Sequence, residues 1–413
     1  MIFHRCYISL LILITLFAWG LRLGVTEKFI GLSAPLDIED GHDEIDYELF
    51  AYEMSIGNGY VMEDGTPTAR RAPGTSMVIL PIYLLFGRSL LAARIWMTFL
   101  SSLNGAAAAW VVFPRWGQKV ALLTAAVIAI DPGLFYYSMH LWSEPPYCLA
   151  ITLGVGCLLR GVNQPNWKWT LLGGLCWGLA TLVRPQVVFM GPWLIPALAF
   201  IPAIERWIWL RELARQGSVA SLMVVPWLIR NQVVMGAFTI ATTVGGHTFW
   251  GSHNELTFHD PHFQGLWKMD LDDPKSVLVV GTEVEQGKLA WGNGWRCVRQ
   301  NVPEIPRLLA WKFFRLVTPF EETSNKAVYW TFALAWIVAV PFIAVGLTRM
   351  RRVDPHLGWW IGLQAVALVS CTLLFYGAAR FRHSMEPFLM MAAAVGFVHC
   401  GLFQRQYNRS QPS

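Results

Sequence analysis

The sequence predicts an all-α integral membrane protein, a bundle of about ten transmembrane helices, and three observations lead there. Of 413 residues, 54% are hydrophobic and 14% charged, with a mean hydropathy of +0.42; a soluble domain of this length needs more charge to cover its surface. Apolar runs recur along the whole chain, and roughly 20 such residues let a helix cross the hydrocarbon. The alternating pattern of a membrane barrel does not occur, and lipid leaves backbone polar groups no other partners than their own helix.

Crossings are expected at about 7–24, 89–112, 119–138, 145–160, 169–183, 186–203, 217–235, 327–347, 358–377 and 386–403. Residues 75–86 (TSMVILPIYLLF) are too short to cross alone and read as an interfacial or partly inserted helix. No small-residue cleavage site follows Gly24, so the first run reads as an uncleaved span. Arg115, Lys119, Arg160, Lys168, Arg206, Arg211, Arg215, Arg349, Arg351, Arg352, Arg405 and Arg409 all fall in one set of loops. Positive-inside bias puts that set, and both termini, in the cytoplasm. The opposite set holds two long segments of a single membrane domain spanning 1–413, at 25–88 and 236–326, and aqueous chemistry is expected there. The cysteines show neither a disulfide framework nor zinc-type spacing. No internal repeat relates the two halves, which weighs against a repeat-built transporter.

The first outer segment is acidic, with Asp37, Glu39, Asp40, Asp43, Glu44, Asp46, Glu48 and Glu53. Crowded carboxylates repel, so at least one of them is expected to have a raised pKa and to be able to take a proton from a hydroxyl; the alternative is a solvated acidic loop. Thr68-Ala69-Arg70-Arg71-Ala72-Pro73-Gly74 then sets two guanidinium groups before the short apolar helix. The planar fork of arginine suits phosphate oxygens and Pro-Gly supplies a rigid turn, although simple snorkelling to lipid head groups is a competing reading. Ser143-Glu144-Pro145, Leu182-Val183-Arg184-Pro185, Pro226 to Asn231 and Ala379 to Pro387 each place an ionisable residue beside a proline at an outer span boundary. A charge there is costly unless paired or functional, so these boxes are expected to converge on one polar cavity that can take a phosphate. Asp131, before Pro132, reads as part of a kink bonded to neighbouring helices. His247, His253, His259 and His262 crowd the second outer segment, but their spacing fits no closed zinc site and ordinary loop roles outweigh a metal.

In this order the motifs resemble bacterial members of the GT-C superfamily, relatives of the dolichyl-phosphate-mannose protein mannosyltransferases and of the lipid A aminoarabinose and galacturonic acid transferases. The resemblance rests on Asp43-Glu44, Tyr47, Ala51 and Gly57 to Tyr60, on Pro67 to Gly74, Phe86-Gly87 and Ala92 to Arg94, on the boxes above, and on Trp311-Lys312 and Arg380 to Arg382. It departs at Gly251 to Asn254 and at His383. It implies a GT-C-type bundle with a large first extracytoplasmic loop carrying interfacial helices. It also implies a hexosyl- or pentosyltransferase of a bacterial inner membrane, active on the periplasmic side. The implied reaction moves a sugar, with inversion, from a polyprenyl-phosphate donor to an acceptor hydroxyl on lipid A, another glycan or a protein. By the same resemblance Asp43 is the base and Glu44 its understudy. Arg71 and Arg230 are the phosphate-binding arginines, Arg184 and Arg380 are further candidates, and Tyr47, Tyr60 and Glu144 belong to the substrate pocket. Asp37, Asp40 and Asp46 are expected to be mild positions. No cofactor is implied, the metal requirement is open, and no glycine motif for a nucleotide sugar is present. The expected partners are the donor, the acceptor and membrane lipids, without nucleic acid. The rival readings are a membrane transporter or lipid flippase, which would set charges at the bilayer midplane in repeated halves, and a membrane scaffold or sensor.

Overall fold

The computed structural model describes residues 2–36, 42–239, 242–269, 281–321, 323 and 325–400, and it is helical throughout apart from turns and an isolated bridge between Val61 and Pro67. Asp37, Glu39 and Asp40 of the acidic run lie outside these residues. Helix α1 (Ile2–Phe29) lies along α4 (Leu90–Ile130). In the segment between them, α2 (His42–Ser55) packs on α3 (Gly74–Phe86).

The chain of α4 turns at Gly117, whose φ of 72° is open to glycine at little cost. Its two arms fold back on each other, because the place of the missing Gly105 Cβ lies 3.1 Å from the Ala125 carbonyl oxygen. In a straight helix these residues would be ~30 Å apart. The two crossings expected at 89–112 and 119–138 are therefore present as a hairpin. Buried Arg22 ties α1 to both arms: its Nε donates to Ser101 Oγ at 3.1 Å and its Nη1 to the Ala129 carbonyl at 2.9 Å.

After α5 (Pro132–Ser138) come α6 (Glu144–Asn163) and α7 (Trp167–Val183). The chain then turns through 113° at Arg184 into a short stretch, Pro185–Leu198, ending in α8 (Gly191–Leu198). The sequence places a separate crossing at 186–203; instead Pro185 opens a 3₁₀ turn and Pro192 starts the short helix α8. Helix α9 (Ala203–Met235) packs on α7, where Gly173, Gly174 and Gly178 leave room for the side chains of Gln216, Val219 and Met223.

The long segment 236–326 contains α10 (Gly245–Gly251), α11 (Glu255–His259), α12 (Glu283–Gln300) and α13 (Ile305–Val317). The chain ends with α14 (Lys326–Val353), α15 (Pro355–Leu374), α16 (Ala379–Arg382) and α17 (Glu386–His399). Gly346 and Gly396 let α14 and α17 touch backbone to backbone, the small-residue contact by which helices associate in lipid. Among the described residues six helices are long and apolar enough to cross a membrane, or seven if α7 and the bent stretch after it form one span. One of the six is the α4 hairpin, and α17 runs beside α14. The chain is thus an all-α, multi-pass membrane protein.

Candidate functional site

Two prolines and a glycine set the frame. Gly74 lies directly on the Leu182–Val183 backbone, which leaves no space for a Cβ, so the Arg70-Arg71 loop is pressed onto the end of α7. Pro145 opens α6 just after Glu144, and Pro185 turns the chain at Arg184. Asp43 stands in the first turn of α2, where the helix dipole favours a carboxylate.

These elements bring one alternating charge network together. Asp43 Oδ1 accepts from Arg71 Nη2 at 2.9 Å and Oδ2 from Arg380 Nη2 at 3.1 Å. Arg71 Nε bonds Asp46 Oδ2 at 2.8 Å, and Arg70 Nε reaches the same oxygen at 3.1 Å. On the other side Arg380 Nε and Arg184 Nη1 both meet Glu144 Oε1 at 2.6 Å, and Glu144 is fully buried. The Arg380 guanidinium also lies over the Trp142 ring, 4.5 Å from its centre. Four guanidinium groups and three carboxylates from five separate parts of the sequence therefore share one chain of contacts.

Burial alone would raise the Asp43 carboxyl, but the Arg380 and then the Arg71 guanidinium outweigh it and hold the group below the ordinary carboxylate range. The raised pKa expected from crowded acids is thus reversed at Asp43, because arginines distant in sequence fill the space between the carboxylates. Burial works against the charged Arg380 as well, yet Glu144 and Asp43 keep it firmly protonated.

Two cavities meet at this network. A chamber of about 780 Å³ is lined by Arg70, Trp142, His247, Thr248, Trp267 and Gln286. A smaller one of about 300 Å³ is lined by Tyr47, Ser143, Arg184, Phe189, Phe375 and Phe381. Asp43, Arg71, Tyr376 and Arg380 line both, so the Arg71–Asp43–Arg380 contact is their common wall. Glu283, at the start of α12, pins the segment 236–326 over the larger chamber by accepting from Thr68 Oγ1 at 2.7 Å and from the Ala69 amide at 3.0 Å.

Of the residues singled out in the sequence, Asp43, Arg71, Arg184, Arg380, Glu144 and Tyr47 come together here. Glu44 does not. It is buried and turned away, with Oε2 accepting from the Leu141 amide at 3.0 Å and Oε1 3.1 Å from His140 Nδ1, so it anchors α2 rather than standing in for Asp43. Arg230 lines neither cavity: it donates to the Thr68 and Tyr60 carbonyls, both at 2.7 Å, and so holds the loop that carries Arg71. Buried Tyr60 supports the same loop, donating from its hydroxyl to the Arg71 carbonyl at 3.0 Å and packing against Phe50 and Trp227. Asp46, expected to be a mild position, is buried and paired with both Arg70 and Arg71. Trp142 and Tyr376 carried no signal in the sequence that set them apart from other aromatic residues, and His247 stood out only as one of four crowded histidines.

Of the four histidines in the segment 236–326, His253 and His259 have separate side-chain partners. His253 Nε2 accepts from Lys312 Nζ at 2.8 Å; burial and then Lys312 pull its pKa down to about 3, while burial lowers Lys312 to about 7. Lys312 also reaches the Leu373 carbonyl at 3.3 Å, fastening this segment to the end of α15 beside the cavity wall. His259 Nε2 bonds Asn301 Oδ1 at 2.8 Å and His247 lines the large chamber. Among the described residues no group of three His, Cys, Asp or Glu side chains is arranged to hold a metal ion.

Residues 70–229 match the family of dolichyl-phosphate-mannose-protein mannosyltransferases. No curated protein sequence matches the chain. An Archaeoglobus fulgidus oligosaccharyltransferase in its apo form superposes with a TM-score of 0.61 at 14% identity, over 98% of this chain and 52% of that one. The A. fulgidus oligosaccharyltransferase AglB, in complex with an inhibitory peptide and a dolichol-phosphate, gives 0.58 at 14% identity with the same coverage. The chain thus spans about half the length of these proteins. ArnT from Cupriavidus metallidurans bound to undecaprenyl phosphate gives 0.45 at 15% identity, over 98% of this chain and 81% of that one. The chain has the GT-C-type fold, and its segment 70–229, which carries Arg70, Arg71, Glu144 and Arg184, matches the mannosyltransferase family.

Proposed function

We propose that the chain is a glycosyltransferase that moves a hexose or pentose from a polyprenyl-phosphate carrier to an acceptor hydroxyl on a lipid, glycan or protein. The observation that carries this reading is the shared wall: one carboxylate, held between two arginines, faces both cavities. The smaller cavity, with Phe189, Phe375 and Phe381 beside Arg184, suits a phosphate that ends in an apolar tail. The larger, under the second outer segment, suits the acceptor. The dolichol-phosphate in the AglB complex is in keeping with this choice of donor. Charge gathers at one face of the bundle rather than in repeated halves, which favours a transferase over a transporter or flippase.

We infer an order of steps from this arrangement. With both oxygens bound to guanidinium groups Asp43 is a weak base. A donor phosphate arriving at Arg380 and Arg71 competes for those groups and releases the carboxylate. Asp43 then takes the acceptor proton as the acceptor oxygen attacks the anomeric carbon from the opposite side. The bond from that carbon to the phosphate oxygen breaks, its electron pair stays on the phosphate, and the arginines balance the charge that develops there. A single displacement of this kind inverts the anomeric centre.

Two results are expected. The free enzyme holds Asp43 below the usual carboxylate range, so the ionised base persists on acidification; its acid limb in kcat/KM for the donor lies below about pH 4, and the limb in kcat, read with the phosphate in place, lies higher. Coincident limbs would contradict the exchange of partners. Positive-inside bias places the site outside, in the periplasm if the membrane is a bacterial inner membrane, so reporters fused at Gly265 and Gln404 should report opposite compartments. The reading as a whole is tested by mass spectrometry of lipid-linked sugars and envelope glycans with and without the gene. A sugar-loaded carrier should accumulate in its absence; unchanged carriers and glycans would overturn it.

A further inference from the structure

Glu44 holds α2 through the Leu141 amide, and its other partner, His140, leads back to the charge network. His140 sits in the turn between α5 and α6, lines neither of the two cavities and has no part in the proposed transfer. Its Nδ1 lies 3.1 Å from Glu44 Oε1, which fixes the tilt of the imidazole. That ring stacks on Trp142, the centres 4.4 Å apart and the planes at 17°. The Arg380 guanidinium lies against the same indole, 4.5 Å from its centre.

Trp142 owes its orientation to such neighbours, because its Nε1 is buried with no hydrogen-bond partner. Ring contacts hold the indole instead: Tyr136 edge-on at 5.9 Å, Tyr137 at 5.1 Å with the planes at 40°, and His140, nearest and closest to parallel. Tyr137 is fixed in its turn, its hydroxyl donating to Glu321 at 2.7 Å. Arg380 spends its edge on Glu144 and Asp43, so the surface against which its face rests sets the tilt of the fork. A catalytic group is only as well placed as the side chains that lock it, and small misplacements are costly in rate.

We propose that His140 is a positioning residue for the transfer: oriented by Glu44, its ring holds Trp142 in the plane that aims Arg380 at Asp43 and at the leaving phosphate. The inference rests on the transferase reading. It gives the neighbouring acids at the start of α2 separate duties, since Asp43 meets Arg380 directly while Glu44 steadies it from behind through two rings.

The test separates the ring from the hydrogen bond. His140→Asn keeps a side-chain polar atom where Nδ1 lies, and with it a partner for Glu44, but removes the ring; His140→Phe keeps a flat ring and removes the partner. Purified full-length enzymes are assayed with the sugar-loaded carrier isolated from cells lacking the gene and with glycans extracted from those cells as acceptor. His140→Asn should lose about five- to ten-fold in kcat at saturating donor, the scale of one aromatic stack, with donor KM within about two-fold of wild type. His140→Phe should keep kcat within about two-fold of wild type while its melting temperature falls, because buried Glu44 loses a partner. A structural role alone gives the opposite order, the less stable Phe variant being the slower. In an Arg380→Lys background His140→Asn should cost less than about two-fold more, since the plane it aligns is gone. Wild-type kcat in His140→Asn, a slow His140→Phe enzyme, or the full loss repeated in the Arg380→Lys background would each overturn the role of His140. If His140→Asn does not fold, His140→Leu is compared with His140→Phe: both lack the hydrogen bond and only one has the ring, so equal kcat overturns the proposal. A carrier that does not accumulate, or a wild type that transfers nothing from it, overturns the transferase reading instead.

Discussion

Asp43→Asn is expected to lower sugar transfer by about a hundred- to ten-thousand-fold, the usual cost of removing a positioned base. Asparagine has the same size and still offers an oxygen to Arg71 or Arg380, so the fold and the docking of the donor phosphate should survive while proton removal fails. Asp64, an exposed loop residue that bonds the Thr66 amide, is the internal control: Asp64→Asn should leave the rate near wild type. Asp46→Asn should fall between them, because it removes a counter-charge from Arg70 and Arg71 without touching the base. Glu44→Gln should lower stability more than turnover, since Glu44 serves the Leu141 amide and His140. Rates are read on the purified enzyme with a saturating polyprenyl-phosphate sugar. An Asp43→Asn enzyme that turns over at the wild-type rate would remove this carboxylate from the chemistry.

The sequence made the participants legible but not their directions. An ionisable residue beside a proline at a span boundary marks a charge that something must balance, and Glu144, Arg184 and Arg380 were found that way. The same signal marked Arg230, which faces the carbonyls of the 60–68 loop instead of a cavity. Nothing local to Pro226–Asn231 distinguishes the two cases; the rotation of α9 against that loop decides it. The acidic run misled for a related reason. Repulsion among neighbours is visible in sequence, whereas the guanidinium groups that cancel it come from the 70–71 loop and from α16, far along the chain. Helix count shows both outcomes. Gly117 is a legible break because the runs on either side are each long enough to cross, but prolines at 185, 192 and 196 state that a helix will be interrupted without giving the 113° turn that brings Arg184 to Glu144.

Arg380→Lys is the second large effect expected, a fall of about a hundred- to a thousand-fold in kcat/KM for the donor, the scale on which loss of one donor to a developing negative charge is felt. Arg380 uses its fork to join the two halves of the network: Nη2 on Asp43, Nε on Glu144, with the plane lying over Trp142. Lysine keeps the positive charge but is a point donor without that plane, so it can serve Glu144 or the common wall and not both at once. Arg184 remains on Glu144 in the variant, which spares the buried carboxylate an unpaired charge and keeps folding from deciding the result. The division of the loss between kcat and KM then assigns the role. A fall in kcat at saturating donor means that Arg380 acts on the leaving phosphate as charge develops, which is the expected outcome. A rise in KM alone would make it a ground-state anchor for the carrier. Wild-type values of both, in a variant that folds, would show that the phosphate is held by Arg71 and Arg184 without Arg380.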